Sequence, residues 1–331
     1  MGKTDMLFRI PVVVSVGSGG GRILSSLNTN TFGGYKIAIN NSERDLSLLE
    51  DKVDEKICVG DDQGGSGMDS EKGRSDFLKG AGKFLKSFKK NAACKSGAGP
   101  DIIPIIGTLG HGFASGSFPE IYRILRSAYS NSVIFAWSIT PFDFQGKEIR
   151  ERAYASLRRC KEIGATVTPV SNQVAFNKLG LSQSTPLSKL YGKINGEITS
   201  ILSNIFTSFT TTKGVVESLD RNDMRKIWTG ESALISMVNY PDASSISAGS
   251  LKDAEDRLLV RVNYMEGSEQ PTVTYIIDGP GEITISQMEE LSKGLIKTYK
   301  ADMTYFKPLI IQRPRKNTSF TLIRGRMRMG I

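Results

Sequence analysis

The sequence predicts an α/β fold: a parallel-sheet domain with helices on both faces, a long central helix, and a smaller α+β C-terminal domain. Three observations predict it. Short β-branched runs alternate with helical segments through the first half, which is the signature of a parallel sheet built from strand–helix units. One apolar stripe then continues for about five turns beyond Thr185. After Gly214 the texture changes to strands with few helices. The boundaries that follow are 1–184, 185–209 and 210–331.

In order, Arg9–Gly17 (RIPVVVSVG) reads as a buried strand ending in glycines, and Gly19-Gly20-Gly21 opens a helix through Leu27. Tyr35–Ile39 is a second strand. Ser42 with Glu43 and Asp45 marks a helix start, where acids suit the positive end of the helix. Lys56–Val59 is a short strand and Gly60–Gly67 a glycine-rich loop, followed by a basic helix near Ser75–Lys90. Ile102–Ile106 is a strand that leads into a second glycine-rich stretch, Gly107–Gly116. Ser117–Tyr129 and Glu148–Ile163 read as helices, Ser132–Ile139 and Ala165–Val170 as strands.

Thr185 and Pro186 suit the start of the long helix, whose stripe is Leu187, Leu190, Tyr191, Ile194, Ile198, Ile201, Leu202 and Ile205. Beyond it, Ser232–Val238, Leu258–Tyr264, Val273–Ile277, Met303–Ile311 and Ser319–Met327 read as strands. Ser286 with Glu289 forms a capping-box pattern ahead of a helix.

The chain has 331 residues, a length that suits two domains and a self-sufficient core. With 39 % hydrophobic and 23 % charged residues it is an ordinary globular composition, which excludes wholesale disorder. Cys58, Cys94 and Cys160 are far apart and form no C-x-x-C pair, so neither a disulfide scaffold nor a cysteine-rich zinc site is expected, and free thiols fit a cytoplasmic setting. His111 is the single histidine, so no multi-histidine metal site can form. The apolar run Ile10–Val14 is too short for an export signal or a membrane span.

Three glycine-rich loops, each after a strand, remain to be explained: Gly17–Gly21, Gly64–Gly67 and Gly107–Gly116. Such turns place bare N–H groups at helix N-termini and favour phosphate; the plainer alternative is a tight turn with close helix–strand packing. A dinucleotide fingerprint fails because Arg22 stands at the third glycine position and the second strand ends in Asn40-Asn41, not in an acid, so an NAD oxidoreductase is disfavoured. No G-x-x-x-x-G-K-[ST] loop occurs.

Taken in order, these stretches resemble the FtsZ/tubulin superfamily of GTP-binding, filament-forming proteins. SVGSGGGRIL, with Gly17, Ser18, Gly19, Gly20, Gly21 and Arg22, is similar to the first phosphate loop, and IAINN with Ser42 and Asp45 to the second strand and turn. GGSGMDSEKGR resembles the loop that reaches the γ-phosphate, with Gly65, Ser66 and Gly67 as the contact. GHGFASGSFPEI resembles the glycine signature, spanning Gly110, His111, Gly112, Phe113, Ala114, Ser115 and Gly116. PFDFQGKE resembles the ribose loop, with Gln145 at the ribose-binding Glu. Tyr191 and Asn195, one turn apart, fall where the family stacks and reads the base.

LDRNDMR resembles the loop that inserts into the next subunit's site. There Asp220 and Asp223 would be the carboxylates that polarise the attacking water, with an acid-rich helix start as the alternative reading. The resemblance implies GTP/GDP as ligand, with Mg2+ as a companion ion. It also implies head-to-tail self-assembly, weak GTPase activity acting only in the polymer, and a role in cell division, with segregation or cell shape also open.

The departures bear on function. His111 and Ala114 replace glycines, and Phe113 replaces a threonine whose hydroxyl faces phosphate. Arg22 stands where the family has an Asn, and Ile149 with Arg150 where it has an Arg. Ser171 or Asn172 takes the place of an Asn after the next strand. A nucleotide-inactive scaffold, or a partner of another filament protein, is therefore the competing expectation.

Formal net charge is +9, from 43 Lys+Arg against 34 Asp+Glu. Lys79, Lys83, Lys86, Lys89 and Lys90 crowd one helix, Arg324, Arg326 and Arg328 alternate along the last strand, and Arg313, Arg315 and Lys316 precede them. Beyond a solvated face, such basic patches would attract nucleic acid, an anionic membrane surface or an acidic partner, such as another FtsZ-like protein.

Overall fold

A computed structural model describes residues 7–61, 64–93, 99–260, 263–265, 271–299 and 307–330. These form two compact units, Arg9–Ser203 and Asn204–Gly330, the second also taking in Leu7 and Phe8. Cys94, residues 62–63 of the second glycine loop and residues 303–306 of a predicted strand lie outside the described residues.

The first unit runs β1 (Val12–Val16), α1 (Gly17–Ser26), β2 (Tyr35–Asn40), α2 (Glu43–Ser47), β3 (Glu55–Cys58), α3 (Ser70–Ala92), β4 (Ile102–Thr108), α4 (Gly112–Ala128), β5 (Val133–Thr140), α5 (Lys147–Glu162), β6 (Val167–Ser171) and α6 (Asn172–Lys178), and includes most of α7 (Leu187–Thr210). Its strands lie in the order β3-β2-β1-β4-β5-β6, all parallel. Every residue of β1, β5 and β6 is buried, as strands covered on both faces require. The order reverses between β1 and β4, and in such sheets that reversal opens a crevice beyond the carboxyl ends of the strands.

The glycines of this unit explain its tightest packing. A Cβ on Gly19 would come within 2.3 Å of Thr108 Oγ1, and one on Gly20 within 2.6 Å of the Ile106 carbonyl, so α1 lies directly against β4. Between α3 and α4 the contact is backbone on backbone: a Cβ on Gly116 would stand 1.9 Å from the Ser70 carbonyl, one on Gly112 2.5 Å from that of Asp69, and one on Gly73 2.5 Å from that of Gly112. The inner side of α3 is closed by Phe77, Phe84 and Phe88, fully buried, with successive ring centroids 5.9 and 6.0 Å apart.

The second unit contains the end of α7, β7 (Val215–Glu217), α8 (Arg221–Ile227), β8 (Ser232–Tyr240), α9 (Gly249–Asp256), β9 (Asn263–Met265), β10 (Thr272–Gly279), α10 (Ile285–Tyr299), β11 (Leu309–Gln312) and β12 (Thr318–Gly330). Its strands lie in the order β8-β12-β10-β11-β7, with β9 on the end of β12; β10 and β11 are parallel and the other pairs antiparallel. Tyr275 and Phe320 stack at 5.5 Å beneath Leu251, Leu291 and Leu295. Asp278, fully buried, accepts from Ser208 Oγ at 2.6 Å and Arg313 Nε at 2.6 Å, and pairs with Arg315 at 3.3 Å.

Several boundaries differ from the sequence-based expectation. Helix α3 begins at Ser70, five residues early, because the Asp69 carboxylate accepts from the Glu71 and Lys72 N–H groups. Helix α4 begins at Gly112, not Ser117. Its glycine-rich first turn carries little helical propensity, and the close approach of α3 is what requires those small residues. The capping box before α10 is Thr284 with Gln287, whose N–H bonds measure 2.9 and 3.2 Å, rather than Ser286 with Glu289. Residues 258–260 form no strand. Arg313 and Arg315 are consumed by Asp278 and Arg324 by Glu255 at 3.1 Å. A bulge between Arg324 and Met327, with Arg326 at φ +57°, breaks the alternation that would have set three arginines on one face. The lysines of α3, with Lys316 and Arg328, are the part of the predicted basic surface that faces solvent.

Candidate functional site

A cavity of about 580 Å³, within the range of small-molecule sites, lies where the strand order of the first unit reverses. Its wall takes residues from beyond the carboxyl end of every parallel strand. Gly17, Ser18 and Gly19 follow β1, Asn41, Ser42, Arg44 and Asp45 follow β2, and Gly64–Gly67 follow β3. Leu109, His111, Phe113 and Ala114 contribute after β4, Pro141 and Gln145 after β5, and Asn172 after β6. Tyr191 and Asn195 of α7 complete it.

Two helix N-termini open into this wall without a side-chain cap. The residue before α1 is Val16, which has no capping atom, and His111 before α4 makes no capping hydrogen bond. Uncapped first-turn N–H groups together with the helix dipole favour an anion. The loop between them is held by backbone bonds, Gly65 N to the Asn41 carbonyl at 2.9 Å and Gly112 N to the Gly67 carbonyl at 3.2 Å. Gly65 and Gly67 have φ of +93° and +55°, and no atom lies within 3.5 Å of a Cβ built on either, so backbone conformation is what requires glycine there.

The predicted residues divide. Gly17, Ser18, Gly19, Arg22, Gly65, Ser66, Gly67, His111, Phe113, Ala114, Gln145, Tyr191 and Asn195 line the cavity. Gly20, Gly21, Gly110, Gly112, Ser115 and Gly116 do not: the glycines among them sit against neighbouring backbone or side chains, and Ser115 Oγ accepts from the Gly110 N–H at 2.7 Å. Asp220 and Asp223 belong to the second unit. Of the two candidates after β6, Asn172 lines the cavity, while Ser171 caps α6 by accepting from the Val174 N–H. Sequence reasoning did not single out Asn40, Asn41 and Arg44. Their one signal was position, at the carboxyl end of β2 and in the first turn of the next helix.

Individual side chains carry further constraints. Gln145 Oε1 accepts from the Phe142 N–H at 2.9 Å, which orients its amide nitrogen away from its own loop's N–H. Arg150, in the first turn of α5, is tied back to Asp143 of that loop at 3.1 Å. The Phe113 ring is 95 % buried and its carbonyl accepts from Ser117 Oγ at 2.7 Å, so a core-packed ring replaces the hydroxyl expected there. His111 is held below its ordinary pKa by desolvation and by the Arg152 cation. Burial raises the Tyr191 hydroxyl and the Arg22 cation partly opposes it; the ring packs edge-on to Phe142 at 5.5 Å. Asp45 is bound by Ser18 Oγ and Asn40 Nδ2.

In the second unit, Asp220 caps α8 and Asp223 sits at its third position. Asp223 N–H donates to Asp220 Oδ1 at 2.8 Å and Asp220 N–H to Asp223 Oδ2 at 3.0 Å; Lys307 Nζ also reaches Asp223 Oδ2 at 3.0 Å. The two carboxylates therefore form a reciprocal cap rather than a simple helical face, and each commits one oxygen to it. Despite the opposing effect of partial burial, the Asp220 N–H and the Lys307 ammonium hold the Asp223 carboxyl below its ordinary pKa.

No family model matches the chain. The mitochondrial division protein fszB of Dictyostelium discoideum is 26 % identical over 175 residues, a match that spans 52 % of this chain and 44 % of that protein, less than half its length. Among solved structures, CetZ2 from Haloferax volcanii, a GTPγS-bound protofilament, superimposes with a TM-score of 0.79 at 18 % identity, over 96 % of this chain and 93 % of that one. An empty FtsZ dimer from M. jannaschii gives 0.72 at 17 % identity, over 95 % and 88 %. A GTPγS-form protofilament of TubZ from Bacillus thuringiensis serovar israelensis gives 0.70 at 14 % identity, over 98 % and 89 %. These similarities cover nearly the whole chain, and with the strand order and the loops described above they show that it has the fold shared by CetZ, FtsZ and TubZ, that of the FtsZ/tubulin superfamily.

Proposed function

We propose that this chain binds a guanine nucleotide in the cavity of its first unit and assembles head-to-tail into filaments. Hydrolysis in the polymer is slow, and the cellular role is in division. The observation that carries the reading is the cavity wall itself: three glycine loops and two uncapped helix N-termini on one side, and Tyr191 with Asn195 on the other. The first set can cradle phosphates through backbone N–H groups; the second can stack and hydrogen-bond a base. A Mg2+ ion accompanying the triphosphate would have Asp45 as its carboxylate inside the cavity.

In a filament, Asp220 and Asp223 would face the nucleotide of the adjoining subunit. Their reciprocal cap leaves Asp220 Oδ2 and Asp223 Oδ1 outside the hydrogen bonds just described, so capping and orienting a water molecule are compatible. The chemistry asked of these residues is positioning and charge, with no covalent step through the protein.

A nucleotide-inactive scaffold is the second reading, favoured by the buried Phe113 in place of a phosphate-facing hydroxyl. Sedimentation with GTP, with GDP and without nucleotide, alongside phosphate release, separates the two. Pelleting that requires GTP and releases phosphate supports the first reading; pelleting indifferent to nucleotide supports the second. The exposed Lys83, Lys86, Lys89 and Lys90 on α3 are proposed as the contact for an anionic partner, and co-sedimentation with phosphatidylserine vesicles or with duplex DNA, each titrated with salt, tests it.

A further inference from the structure

Two arginines line the cavity, Arg22 on α1 and Arg44 on α2, and among the described residues neither guanidinium has a hydrogen-bond or ion-pair partner. They occupy different ends. Arg22 acts electrostatically on Tyr191, which places it at the end of Tyr191 and Asn195. Arg44 lies two residues beyond Ser42, and Ser42 is bridged to Gly64 at the head of the Gly65–Ser66–Gly67 loop. That loop is joined to the end of β2 by the 2.9 Å bond from Gly65 N to the Asn41 carbonyl.

We infer that Arg44 is a binding residue for the terminal phosphate of the nucleotide and makes the cavity discriminate triphosphate from diphosphate. The inference rests on the proposed nucleotide reading and deepens it. The wall at this end also carries the Asp45 carboxylate, and a guanidinium beside it, together with any Mg2+ held there, offsets that charge for a terminal phosphate placed nearby. Phe113 has removed a hydroxyl donor. Arg44 is flanked in sequence by Glu43 and Asp45, yet Asp45 is taken by Ser18 and Asn40, and Glu43 forms no ion pair with it. A planar guanidinium with its donors uncommitted matches a phosphate through paired hydrogen bonds, which a lysine cannot reproduce.

Fluorescence titration of the monomeric chain with GTPγS and with GDP tests this. Arg44→Gln is expected to weaken GTPγS about 10- to 100-fold, the effect of losing a charge-assisted contact, and to leave GDP affinity near that of the wild type. Arg44→Lys should fall between. Arg22→Gln, the control, should weaken both nucleotides by a similar factor. Because Arg44 is exposed, the melting temperature of Arg44→Gln should match the wild type, confirming intact folding. Equal weakening of both nucleotides by Arg44→Gln, or no weakening of either, overturns the inference. Failure of the wild-type chain to bind either nucleotide overturns the reading of the cavity, and Arg44's role falls with it.

Discussion

Gly116→Ala is expected to destabilise the first unit without touching the cavity. The new methyl would stand 1.9 Å from the Ser70 carbonyl and 2.6 Å from the Arg74 nitrogen, where a carbon–oxygen contact needs about 3.3 Å. Both obstacles are backbone atoms, so no side chain can swing aside and α3 and α4 must separate. That also opens the contacts under Gly73 and Gly112, where the same close approach is repeated. Overpacking of this kind costs about 3 kcal/mol. In a unit of roughly 200 residues that lowers the melting temperature by about 6–12 °C.

Gly67→Ala is the counterpart. Nothing lies within 4 Å of its Cβ, and the left-handed backbone, at φ +55°, costs about 1–2 kcal/mol. Its position in the cavity wall puts the burden on ligand affinity instead. Thermal melts by circular dichroism and titration with a fluorescent GTP analogue read the two effects. If Gly116→Ala melts with the wild type, or Gly67→Ala proves the less stable of the two, the division of glycines into packing and ligand roles is wrong.

Further outcomes are expected. Asp220→Ala combined with Asp223→Ala abolishes phosphate release from filaments and leaves nucleotide binding by the monomer intact; normal turnover would reduce the pair to a helix cap. Losing that cap also costs about 1–2 kcal/mol, visible in denaturant melts. Because Asp223 titrates below its unfolded value, its contribution to stability is present above about pH 4 and is lost as pH falls through the lower folded value. Acid melts of Lys307→Gln should therefore show a weaker pH dependence in that window. Phe113→Thr restores a hydroxyl and raises nucleotide affinity about tenfold while lowering stability by about 2–4 kcal/mol through the cavity it leaves; an unchanged dissociation constant counts against the hydroxyl argument. Asp278→Ala strands the Arg313 and Arg315 cations and should cost about 3–5 kcal/mol in urea unfolding.

The sheet of the first unit was legible because strands covered on both faces are written as mostly apolar, β-branched-rich runs, and β1, β4 and β5 all are, with only Ser, Thr, Gly and Pro interrupting. The starts of α3 and α4 were not, since Gly, Ser and Asp give no helical periodicity and the tertiary contact selects them. The glycines of the loops were found, but their purpose was ambiguous. A glycine required by a neighbouring backbone, such as Gly116, and one required by its own φ, such as Gly65, look the same in a sequence. Arg44 was invisible for a related reason: an exposed arginine on a short helix is common, and only the folded chain shows that it faces a cavity without a partner. The acids of α8 were legible as a pair, whereas their mutual cap and Lys307, 84 residues away from Asp223, depend on tertiary structure.

The backbone-on-backbone contact where α3 and α4 begin has a mechanical meaning. Interleaved side chains let two helices slide by changing rotamers; bare backbones pressed together have no such slack, so the pair behaves as one stiff lever. One end of that lever is fastened to Gly67 through the Gly112 amide, and its outer surface carries the lysine row. Movement of the loop at the cavity's edge would act on the pair through that one amide.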